Sequence, residues 1–144
     1  MNNYERGNRN NQSNYRNRDN YNNQSRVDLN NFFDNNGNIS VDWIDSKIKD
    51  FASDRFNCPS KTQIRNFYQE FLRIQSMPGD DAQKIVMIKM LKAKVKYKEK
   101  SSQDKVPRNF VAFIENLVNE IGDNLKKFNS ACLLMEAFVA YNPN

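Results

Sequence analysis

From residue 40 onward, apolar positions recur at the three- and four-residue steps of an α-helix, and no alternating strand pattern competes with them. Ser40 is placed to cap a first helix in which Trp43, Ile44, Ile48 and Phe51 share a face, with Asp42 and Asp45 at its positive end. Asn57-Cys58-Pro59 breaks it. Ser60-Lys61-Thr62-Gln63 is a capping-box pattern opening a second helix, whose Ile64, Phe67, Tyr68, Phe71 and Leu72 form one apolar stripe and which Met77-Pro78-Gly79 stops. Asp80 and Asp81 start a third helix that frays at Ser101-Ser102-Gln103. Pro107 suits the first turn of a fourth, which buries Phe110, Phe113, Ile114, Leu117, Val118 and Ile121 and stops at Gly122. The last helix, about residues 123–141, is apolar over more than half its circumference, which places it at the bundle centre or against a partner subunit. The pattern predicts an all-α fold, a compact bundle of about five helices whose short connections make neighbours antiparallel.

Residues 1–38 read differently. They are Asn-rich, with scattered Arg and Tyr, no sustained period and few aliphatic side chains to bury. The expected organisation is a disordered tail over 1–38 and a helical bundle domain over 39–144. Arg6, Arg9, Arg16, Arg18 and Arg26 with Tyr4, Tyr15 and Tyr21 would suit a weak RNA-binding arm, but Glu5, Asp19, Asp28 and Asp34 leave the tail nearly neutral, and a plain flexible segment is the simpler reading.

Charge singles out the third helix. The chain carries a formal +5, yet residues 84–108 hold nine Lys and Arg against Glu99 and Asp104, a local +7 that leaves −2 for everything else. Localised basicity is the footprint of a nucleic acid or an anionic surface, although a lysine-rich solvated face would give the same count. Lys89, Lys92, Lys96 and Lys100, spaced three, four and four apart, fall on one stripe. Rows of apolar residues flank it: Val86, Met90, Ala93 and Tyr97 on one side, Ile85, Ile88, Leu91 and Val95 on the other. The expectation is a helix packed on both shoulders that holds a lysine ridge outward, with Tyr97, at the ridge margin, placed in the packed row ahead of the alternative that it stacks on a base. At 1.5 Å per residue the ridge is roughly 16 Å long, enough for about two or three phosphates of an extended strand. Lysine grips phosphate without reading bases. Lys94 and Lys98 point away from the ridge.

Catalytic chemistry is thin. The chain has no histidine, neither Cys58 nor Cys132 has an activating neighbour, and no phosphate-binding, dinucleotide or nucleophile-elbow motif occurs. Glu115, Glu120, Asp123 and Glu136 are better explained as solvated, capping or ion-paired positions than as a divalent-ion site. No enzyme activity, metal or cofactor is expected. The isolated cysteines fit small core residues in a reducing cytoplasm, and with neither a secretory leader nor a membrane span in view the expected location is cytoplasmic, away from membranes. The residues themselves leave open an RNA-contacting subunit of a larger assembly, a free-standing single-stranded RNA-binding or chaperone-like module, and a pure protein-interaction bundle.

Three motifs bear on that choice. Thr62-Gln63-Ile64-Arg65 opens a helix; Leu91-Lys92-Ala93-Lys94-Val95-Lys96-Tyr97 precedes a basic Lys100; Phe128 is followed by Met135-Glu136-Ala137-Phe138-Val139-Ala140-Tyr141 near the end. In order and spacing they resemble the small helical subunit of the type III-A CRISPR effector, the Csm complex, over most of residues 60–141. The resemblance implies a non-catalytic bundle of about five helices, stacked in copies as an inner filament beside the backbone and large subunits and touching guide RNA and target RNA through basic side chains. Arg65 matches the arginine of the second-helix motif, Lys94 the lysine before the tyrosine motif and Lys100 the basic residue after it. Glu99 stands where the family has glycine, and Met135 where it has an aromatic. The expected RNA contacts are Lys89, Lys92, Lys96 and Lys100 from the ridge, with Lys61, Arg65 and Lys94 added by the resemblance.

Overall fold

The computed structural model of the chain describes residues 26–143; the expectations for residues 1–25 fall outside them. Among the described residues a π-helical turn, Trp43–Lys47, runs directly into α1 (Ile48–Ser53) and is followed by α2 (Lys61–Ser76), α3 (Asp81–Lys100), α4 (Arg108–Ile121) and α5 (Leu125–Tyr141). The fold is all-α, and the nearest approach to a sheet is one isolated antiparallel bridge between Phe33 and Ile39. The caps form as their residue types dictate. Ser60 Oγ accepts from the Gln63 N–H at 3.2 Å while Gln63 Oε1 accepts from the Ser60 N–H at 2.9 Å, closing the capping box at the start of α2. Asp80 Oδ1 accepts from the Gln83 N–H at 2.9 Å, and Asn124 Oδ1 from the Lys127 N–H at 3.1 Å. Gly122 ends α4 at φ +56°, a backbone conformation that side chains with a Cβ rarely adopt.

Burial organises these helices into two pairs joined through α5. α5 touches every other element and buries Phe128, Ala131, Cys132, Leu134, Met135 and Phe138 on one face, while Lys126, Asn129, Leu133, Glu136 and Ala140 form an exposed stripe on the other. α2 packs chiefly along α5, and α3 chiefly along α4. The deepest part of the core is aromatic. Phe113 on α4 is ringed by Phe51, Phe138, Phe32, Trp43 and Phe110 at centroid separations of 5.0, 5.5, 5.7, 6.0 and 6.3 Å. Rings at these distances add edge-to-face and offset contacts to the area they bury.

Two expectations are corrected. Residues 26–38, assigned to the tail by composition, form a strap across α4. Phe32 is fully buried, and Val27, Leu29 and Phe33 pack on the core. The strap's backbone is satisfied by side chains: both carboxylate oxygens of Glu120 accept, from the Asn31 and Phe32 N–H groups, at 2.9 Å each. Asn116 donates to the Leu29 carbonyl at 2.8 Å, and the Trp43 indole donates to the Asn30 carbonyl at 2.8 Å. A few large apolar side chains spaced among asparagines suffice when a facing helix supplies acceptors and donors. The second correction concerns α3, which is packed on one shoulder only. Ile88, Leu91 and Val95 are buried, but Val86, Met90 and Tyr97 are 60%, 44% and 74% exposed and Ala93 is exposed beside them. The cause is the pairing of α2 with α5, which leaves that side of α3 without a close neighbour.

Both cysteines are buried and free. Burial pushes each thiol up to about 12, with Asp54 adding to the effect at Cys58. Unfolded thiols ionise near pH 9 and the folded ones do not, so stability is expected to fall as pH rises above about 9. Alkylation at about pH 8, followed by mass, is expected to wait for unfolding; rapid labelling of the native chain would contradict the burial. Phe113→Ala is expected to cost about 3–5 kcal/mol in urea unfolding, against less than about 0.5 kcal/mol for Tyr97→Ala on the exposed shoulder.

Candidate nucleic-acid interface

The lysines of α3 turn toward two different neighbours. On the α4 side, Lys89 Nζ lies 3.1 Å from Asp123 Oδ1, Lys92 donates to Asn119 Oδ1 at 2.8 Å, and Lys96 Nζ is 3.6 Å from Glu115 Oε1 and 3.4 Å from Glu99 Oε1. Rising numbers on α3 meet falling numbers on α4, which is the register of an antiparallel pair. The ridge therefore exists as a stripe, but three of its four members are laced to α4. These pairs are about half exposed, where such contacts are worth about 0.2–1 kcal/mol each and can be exchanged for a stronger anion.

On the α2 side, Lys94 Nζ sits 3.0 Å from Glu70 Oε2, which also receives Arg73 Nη2 at 2.9 Å, and Lys98 is bonded to Asp104. The Arg73 hydrogen bond, followed by Lys94, holds the Glu70 carboxyl below its ordinary range against the opposing effect of burial. Lys98 and then Gln63 do the same for Asp104.

Lys100, at the end of α3, has no acidic partner among the described residues, and it is not alone. Gln63 Nε2 donates to the Asp104 carbonyl at 3.0 Å and its side chain at 2.6 Å, and Asn109 donates to Asn57 Oδ1 at 2.8 Å. These bonds draw the C-terminal ends of α1 and α3 and the N-terminal ends of α2 and α4 to one pole of the bundle. Arg55, Lys61, Arg65, Lys100, Lys105 and Arg108 all stand there, exposed and without an ion pair among the described residues. The carboxylates at this pole are Asp54, Glu99 and Asp104, of which the last two already hold Lys96 and Lys98. Neither α2 nor α4 has an acidic residue in its first turn, and both begin with a cation. A cation at the positive end of a helix dipole opposes stability by about 0.3–1 kcal/mol, so helix formation does not account for this arrangement.

A family model described as Csm2 Type III-A matches residues 40–142. The chain belongs to the Csm2 type III-A family. It is thereby a small subunit of the type III-A Csm effector, a CRISPR ribonucleoprotein with other subunits. Comparisons with curated proteins and with solved structures give no match. The Csm2 match begins after the strap and covers every residue expected to contact RNA. Of those seven, the structure brings Lys61, Arg65 and Lys100 together at the pole, leaves Lys89, Lys92 and Lys96 paired along α4, and engages Lys94 with Glu70.

Arg55, Lys105 and Arg108 escaped the spacing argument because they lie between or at the ends of helices. One signal was present: basic residues opening two helices, against the dipole rule. Among the described residues of this Csm2-family chain no three His, Cys, Asp or Glu side chains gather as a metal would need, and no helix is long and apolar enough to cross a membrane. Of the four carboxylates considered for a metal, Glu115 and Asp123 are held by lysines and Glu120 by the strap, while Glu136 is exposed on α5.

Because Glu70 is held below its ordinary 4.5, its contribution is complete above that value and lost as pH falls through the folded value. Thermal stability of the wild type is expected to drop more between about pH 5 and 3 than that of Glu70→Gln, measured by circular dichroism. Parallel profiles would show that the Arg73–Glu70–Lys94 cluster does not matter to folding.

Proposed function

We propose that this chain is a non-catalytic small subunit that stacks in copies as an inner filament of the effector and contacts guide–target RNA through the basic pole. The observation that carries the reading is the set of exposed cations Arg55, Lys61, Arg65, Lys100, Lys105 and Arg108, without an ion pair among the described residues, at the end where two helix N-termini also point. Phosphate oxygens satisfy both the side chains and the dipoles, without demanding a base sequence. The α3 ridge acts as a second rank, since Lys89, Lys92 and Lys96 must release their partners on α4 before they reach a phosphate. Membership of a multi-subunit complex favours this over a free-standing RNA module.

Fluorescence anisotropy with the full chain and a labelled single-stranded RNA tests the assignment. Lys61→Glu combined with Arg108→Glu is expected to weaken binding by about tenfold or more and to flatten the log–log salt dependence by about 1.4, for two phosphates at about 0.7 each. Lys89→Ala combined with Lys92→Ala is expected to cost less than about threefold, as an exposed pair would. Equal losses would return the assignment to the ridge, and no loss from either would remove RNA contact from this side of the bundle.

A further inference from the structure

The exposed shoulder of α3 faces a groove of about 840 Å³ between α2 and α3. Its apolar side is Phe67 on α2 with Met90, Ala93 and Tyr97 on α3, and Tyr97 presents most of its ring to solvent. Two amides, Asn66 and Gln69, line the opposite wall and make no side-chain hydrogen bond among the described residues. Arg73 and Lys94, both held by Glu70, stand along it with Lys98, held by Asp104, so three cations share two acids. One end of the groove lies close to the basic pole: Tyr97 is about one helical turn before Lys100, and Asn66 is next to Arg65.

A π-face, free amide donors and acceptors, and a cationic rim match the three parts of a nucleotide: base plane, base edge and phosphate. An apolar helix of a protein partner would use Met90 and Tyr97, but it would leave the Asn66 and Gln69 amides without partners and the cations of the adjoining pole unmatched. We propose that this groove receives an unpaired base of the RNA strand whose phosphates lie on the pole, with the base stacked on Tyr97. The inference rests on the pole as the phosphate-contacting surface. Duplex RNA, whose bases stay stacked on one another, does not enter. Stacking tolerates every base, so the groove adds affinity for unpaired strands and little sequence preference.

The test uses the full chain and two oligonucleotides of equal length, a single-stranded oligouridylate and its counterpart with abasic riboses, titrated by anisotropy across salt concentrations. Tyr97→Ala is expected to lose about fivefold or more on the oligouridylate, to leave the abasic strand and the salt slope unchanged, and to be restored by Tyr97→Phe. Tyr97 is on the surface, so the variant keeps the fold, and circular dichroism verifies this. If the pole variant Lys61→Glu/Arg108→Glu loses affinity while Tyr97→Ala binds like wild type, the groove assignment falls and the pole stands. If neither variant changes binding, both fall. Unchanged RNA binding by Tyr97→Ala together with failure to enter the reconstituted effector would overturn the base-binding proposal in favour of a protein-docking groove.

Discussion

The packing of five rings about Phe113 fixes the position of α4, and the rest of the molecule takes its geometry from that helix. With one face of α4 committed to the aromatic cluster, its flank meets α3, and its outer surface is left to the strap. The lysine pairs along α3 are a consequence of this order and not its cause. Exposed pairs of this kind are too weak to set a register, whereas a buried aromatic cluster stabilises by several kcal/mol. The same placement carries the start of α4 to the pole, so that Arg108 joins residues from three other segments.

Charge is thus distributed by packing. One side of α3 is neutralised by α4, the other is partly neutralised by Glu70 and Asp104, and the uncompensated cations are left at the pole. The bundle spends some helix-dipole energy to keep Lys61 and Arg108 at helix starts. The RNA contact proposed for the pole would recover this cost, since a bound polyanion reverses the sign of the interaction.

Helices, caps and the wide apolar face of α5 were legible because they rest on local information. Ser60 and Gln63 lie within one turn, and the apolar face of α4 is a simple helical stripe. What periodicity states is that Val86, Met90, Ala93 and Tyr97 share a face; whether another helix covers it depends on α2 choosing α5, a long-range matter. Likewise, Lys89, Lys92 and Lys96 declare a stripe, but their partners sit 19 to 34 positions away and appear only with the antiparallel register. Of the site, Lys100 came from the spacing of the ridge and Lys61 and Arg65 from family resemblance, while their meeting with Arg55, Lys105 and Arg108 needed the tertiary fold. The strap was hidden by averaging: Val27, Leu29, Phe32 and Phe33 are diluted by the asparagines around them.

The strap carries a consequence for the way the chain is made. Its anchors are among the most distant in the molecule: Asn31 and Phe32 wait for Glu120, 89 and 88 residues later, and the Gly37 carbonyl waits for Ser130, 93 residues later. Synthesis runs from the N-terminus, so the strap is among the first described segments to be made and among the last to find its place. Until α4 and α5 have been made, Phe32 has neither Phe113 nor a carboxylate beneath its backbone. Completion of the core is therefore tied to the synthesis of α4 and α5, and a chain made only as far as α3 cannot close prematurely around the strap.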